Sequence, residues 1–73
     1  MVNIMKQNEW AKAVCRISRY FLETNVYFDY SVVRNEYDFF IMAKRTKVTL
    51  RNYEVTPIAA ATIVADILLK ANV

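Results

Sequence analysis

Residues 26–44 read VYFDYSVVRNEYDFFIMAK, and this stretch decides the fold. Val26 to Val33 is β-branched and aromatic, with Val26, Phe28, Tyr30 and Val32 alternating onto one face. Arg34-Asn35-Glu36 interrupts the run. Asn35 is the residue best suited to a left-handed backbone position in a chain that contains no glycine. A strand is predicted over about 26–33 and a second over about 37–44. Beyond a tight Arg45-Thr46 connection, residues 47–55 read as a third strand with Val48 and Leu50 inward. Connections this short favour an antiparallel meander.

Working outward, both flanks change to helical periodicity. Trp10, Val14, Ile17 and Phe21 form an apolar stripe, with Glu9, Lys12, Arg16, Arg19 and Glu23 opposite, which predicts a helix over about 8–23 capped by Asn8, with Asn3 as an alternative that would turn Lys6 and Gln7 inward. Thr56-Pro57 supplies an N-cap hydroxyl followed by proline at the first helical position, opening a second helix over about 57–70. The predicted fold is α+β, in the order α-β-β-β-α. A three-stranded antiparallel meander carries both helices on one face, as a single small domain over residues 1–73. That order resembles the order in double-stranded RNA-binding domains. Their phosphate contacts come from a lysine-rich start to the last helix, where this chain has Pro57-Ile58-Ala59-Ala60-Ala61. The likeness is topological, and no residue role is carried over from it.

Composition limits the chemistry. The chain has 73 residues, 56% of them hydrophobic, with one cysteine, no histidine and no glycine. A core of this size gives marginal stability, an internal disulfide is impossible, and a partner chain becomes the expected support. Without glycine there is no phosphate-cradling loop, and without histidine the usual general base is missing. No enzyme, cofactor or metal site is predicted. Cys15 reads as an inert mid-helix thiol, and Asp29 and Asp38 as solvated charges facing each other across the first hairpin. Met1 to Lys6 does not read as a secretory leader. The longest apolar run, Pro57 to Leu69, is too short to span a bilayer. Together with the lone cysteine this predicts a cytoplasmic, intracellular protein without a membrane span.

Apolar surface exceeds what one chain needs. If Phe39 and Ile41 meet the helices, Phe40 and Met42 point away from them, beside Tyr27, Val33 and Tyr53. In the second helix the polar positions Thr62, Asp66 and Lys70 share one narrow sector, and apolar residues cover roughly 240° of the circumference. Ile63 and Ile67 border that sector. The predicted interface is therefore Tyr27, Phe40, Met42 and Tyr53 on the sheet, with Ile63 and Ile67 on the helix. The functional expectation is a small interaction protein that forms a homo-oligomer, a dimer first, and acts on a protein partner. Its size suits a viral or mobile-element accessory regulator or inhibitor. The alternative is a dimeric nucleic-acid-binding protein that contacts phosphates through Lys44, Arg45, Lys47 and Arg51. Lys12, Arg16 and Arg19 form a second basic stripe, read as ion pairs with Glu9 and Glu23.

Overall fold

A computed structural model describes residues 4–51 and 55–72. Helix α1 spans Ile4–Leu22, strands β1, β2 and β3 span Tyr27–Ser31, Glu36–Phe40 and Val48–Leu50, and helix α2 spans Pro57–Lys70. The three strands form one antiparallel sheet in the order β1-β2-β3. Its register pairs Phe28 with Phe39 and Tyr30 with Tyr37, so these four aromatic side chains share one face. The rings of Tyr30 and Tyr37 lie 4.7 Å apart and those of Phe28 and Tyr37 5.6 Å apart. Such cross-strand aromatic pairs are the unit from which a sheet draws its stability.

Both helices cover this aromatic face, and α1 packs chiefly along α2. Trp10 of α1 is the junction between the layers. Its ring lies 5.5 Å from Tyr37 and 5.8 Å from Phe39, and its Nε1–H donates to the Val55 carbonyl at 3.1 Å. A half-buried indole N–H thus keeps a partner while the ring fills the core. The helix–helix seam is made of small side chains: Ala11 and Ser18 of α1 and Ala60, Ala61 and Ala65 of α2 are buried, with Val14, Val64 and Leu68 between the layers.

Several local features depart from the expected limits. Helix α1 begins at Ile4, a full turn before Asn8, and the Asn8 side chain accepts a hydrogen bond from the Tyr37 hydroxyl at 3.3 Å instead of capping. The buried face of α1 is centred on Ala11, Val14 and Ser18, which leaves Ile17 half-buried and Phe21 51% exposed. Strand β1 ends at Ser31, and Val32 and Val33 form the turn, almost fully exposed. Asn35 does take the left-handed position, with φ 54°, and its Oδ1 accepts from the Tyr30 hydroxyl at 2.7 Å. The second connection is not tight: it runs from Ile41 to Lys47, and the third strand is Val48–Leu50, with residues 52–54 of the expected span lying outside the described residues. Ile41 stays buried as its anchor, and the Lys44 amide donates back to the Ile41 carbonyl at 3.4 Å.

The helix ends are closed without glycine. Glu23 adopts φ 55° after α1, and its amide donates to the Arg19 carbonyl at 2.8 Å, the bond of a left-handed C-terminal cap. Thr56 caps α2, its hydroxyl accepting from the Ala59 amide at 3.2 Å, and Pro57 follows at the first helical position. At the other end Lys44 folds over the last turn. Its Nζ donates to the carbonyls of Leu68 at 2.6 Å and Ala71 at 2.8 Å.

Candidate interaction surfaces

The outer face of the sheet, opposite the helices, is a mixture rather than an apolar plate. Tyr27 and Phe40 are register partners with ring centroids 5.9 Å apart, and Lys47 Nζ stands 5.5 Å from the Phe40 ring. This aromatic pair under a cationic stem occupies one end of the sheet. The other end is polar. Glu36 is reached by Arg34 at 3.4 Å and Arg51 at 3.6 Å, and the Thr49 hydroxyl donates to Asp38. Asp29 does face Asp38 across the hairpin, and among the described residues no acidic, histidine or cysteine cluster fit for a metal occurs.

The predicted interface residues are therefore divided. Tyr27 and Phe40 are together, Met42 is 79% exposed in the β2–β3 connection, and Tyr53 lies outside the described residues. Ile63 and Ile67 are far away on α2, partly exposed as their place beside the polar sector required. The basic cluster is divided too. Lys44 is turned onto the carbonyls at the end of α2, Arg51 pairs with Glu36, Lys47 lies over Phe40, and Arg45 is exposed. These cations do not form one patch.

Helix α2 carries the larger apolar surface. At 100° per residue its buried positions centre on Ala61, Val64 and Leu68, and its exposed sector is bounded by large aliphatics on both margins. Ile63 and Ile67 form one margin. Ile58, 66% exposed, and Leu69, 61% exposed, form the other, where Phe21 of α1, Ala65 and Leu69 line a shallow apolar hollow. Between the margins run Thr62, Asp66 and Lys70, the last two paired at 3.1 Å. The same helical wheel that singled out Ile63 and Ile67 also places Ile58 and Leu69 at the border of the polar sector. That signal was present in the sequence and unused.

A second hollow is polar. Arg16, Arg19, Tyr20, Glu23 and Asn25 line a depression of about 650 Å³ where the end of α1 turns toward β1, and Lys12, Cys15 and Tyr27 continue it along the helix flank. The expected ion pairs are not made: among the described residues no carboxylate lies within ion-pair distance of Lys12, Arg16 or Arg19. Cys15 sits half-buried at the floor, and burial pushes its thiol up to about 11, so the sulfur is protonated at neutral pH.

Compared with protein-family models, with curated proteins and with solved structures, the chain matches none. No helix among the described residues is long and apolar enough to cross a membrane.

Proposed function

We propose that this chain is a non-catalytic interaction module that self-associates through the exposed face of α2 and acts by binding. The observation that carries the reading is the disposition of α2's side chains. Its buried face is largely alanine, whereas Ile58 and Leu69 stay mostly exposed and Ile63 and Ile67 partly exposed after folding. The surface these four side chains still expose amounts to about two full side chains per copy, and burying it on both copies of a dimer is worth roughly 6–12 kcal/mol, against an association cost of about 4–15 kcal/mol. The balance supports a concentration-dependent dimer rather than a permanent one. A second copy suits the face because its polar stripe holds one acid and one base, Asp66 and Lys70. A two-fold axis then brings opposite charges within reach across the contact. The sheet face supports the same role less well, because Tyr27, Phe40 and Lys47 already cover one another.

Sedimentation velocity across the micromolar range tests the proposal. The expected result is a weight-average sedimentation coefficient that rises with concentration from monomer toward dimer. A folded monomer at every concentration would overturn it.

A further inference from the structure

The hollow at the junction of α1 and β1 has a chemistry of its own, which goes beyond self-association and stands without it. Lys12, Arg16 and Arg19 follow one another along the helix at steps of about 6 and 4.5 Å, within about 60° of its circumference. Their exposed heads face an open depression, with no carboxylate at ion-pair distance among the described residues. Glu23 is the one carboxylate lining it, so the lining has three cations against one anion. The helix dipole accounts for one of these cations, Arg19 in the last turn; Lys12 and Arg16 lie further back. Two tyrosines flank the cations. Tyr20 is 80% exposed and lines the hollow, and Tyr27, 40% exposed, stands at its β1 edge.

We propose that this hollow binds single-stranded nucleic acid, with Lys12, Arg16 and Arg19 on consecutive phosphates, Tyr20 offering its face to a base and Tyr27 bordering the site. A basic groove bordered by exposed aromatic rings is the arrangement by which sequence-tolerant single-strand binders work. The rings favour a single strand over a duplex, whose bases are already stacked and turned inward. They also favour it over an acidic peptide, whose carboxylates gain nothing from aromatic faces. Three phosphate contacts give a weak site, about −2 in the slope of log affinity against log salt.

The test is fluorescence anisotropy of a labelled oligothymidylate titrated with the full chain at several salt concentrations. The expected result is binding at low salt with that slope. Arg16→Ala lowers its magnitude by about 0.7. Tyr20→Ala weakens binding about 5- to 150-fold and leaves the slope unchanged. Three results would overturn the proposal: no binding at low salt, polyglutamate or a duplex of equal length binding as tightly, or Tyr20→Ala without effect. Loss of binding on Arg45→Glu but not on Arg16→Glu would also overturn it, by moving the contact to the β2–β3 connection. Both sites are exposed, so circular dichroism checks that each variant folds. An Ile67→Asp variant keeps the hollow and removes the proposed self-contact. Monomeric Ile67→Asp that still binds the strand supports the hollow independently of the dimer.

Discussion

Ser18 of α1 has no exposed surface, and its hydroxyl has no hydrogen-bond partner. Its oxygen is desolvated without return. Ser18→Ala is therefore expected to stabilise the fold by about 1 kcal/mol, from the removed hydroxyl and the better helix propensity of alanine. A urea unfolding midpoint that rises checks this; one that falls would mean the hydroxyl is bonded in solution. Cys15 gives a second expectation. With its thiol raised from 9.0 to about 11 by burial, the thiolate at pH 8 is about 100-fold scarcer than in the unfolded chain. Alkylation at pH 8 should be slow in the native protein and rapid in denaturant. Tyr37 is raised as well, by burial and then by Tyr30. Its neutral form is the one the fold favours, so its contribution is complete below the ordinary tyrosine pKa of about 10 and is lost as pH rises through the higher folded value. Unfolding midpoints measured at pH 8 and pH 11 should separate, and Tyr37→Phe should narrow the gap.

At the scale of elements, the parts legible in the sequence are those set by local stereochemistry. Thr56 and Pro57 start α2 where expected, because an N-cap hydroxyl and a fixed proline φ need no tertiary help. Asn35 takes the left-handed turn for a similar reason. What tertiary packing decides was less legible. The stripe Trp10, Val14, Ile17 and Phe21 dominates the apolar pattern of α1, and Val14 is fully buried, yet the other fully buried positions are Ala11 and Ser18, residues whose low hydropathy hides them. Lys44 is expected among the phosphate-contacting cations of the second hairpin, because the end of α2 is distant in sequence. Its Nζ instead donates across that distance to the carbonyls of Leu68 and Ala71. Lys44→Met should fray the last turn of α2 and cost about 1–2 kcal/mol, from two charge-assisted bonds and a dipole contact. The native amides of that turn should then exchange hydrogen faster than in the parent. Unchanged exchange would show the cap to be dispensable.

For the whole molecule, the order α-β-β-β-α and the layer of helices over one sheet face were readable from periodicity alone. The distribution of leftover apolar surface was not. Phe40 seemed the centre of an exposed sheet face, but Tyr27 and Lys47 lie against it, and the remainder of that face is charged. Ile58, Ile63, Ile67 and Leu69 leave apolar surface on α2, beside the exposed Val32, Val33 and Met42 of the two connections, and Lys12, Arg16 and Arg19 of α1 have no carboxylate at ion-pair distance among the described residues. On the proposed reading the molecule has two surfaces of different chemistry, an apolar one for a second copy and a basic one for phosphate. Light-scattering mass of two charge-bearing variants, Leu69→Asp and Phe40→Asp, tests the division most directly. At a concentration where the parent is dimeric, Leu69→Asp should have the mass of a monomer and Phe40→Asp the mass of a dimer. A dimeric Leu69→Asp beside a monomeric Phe40→Asp would contradict the account and return the self-contact to the sheet.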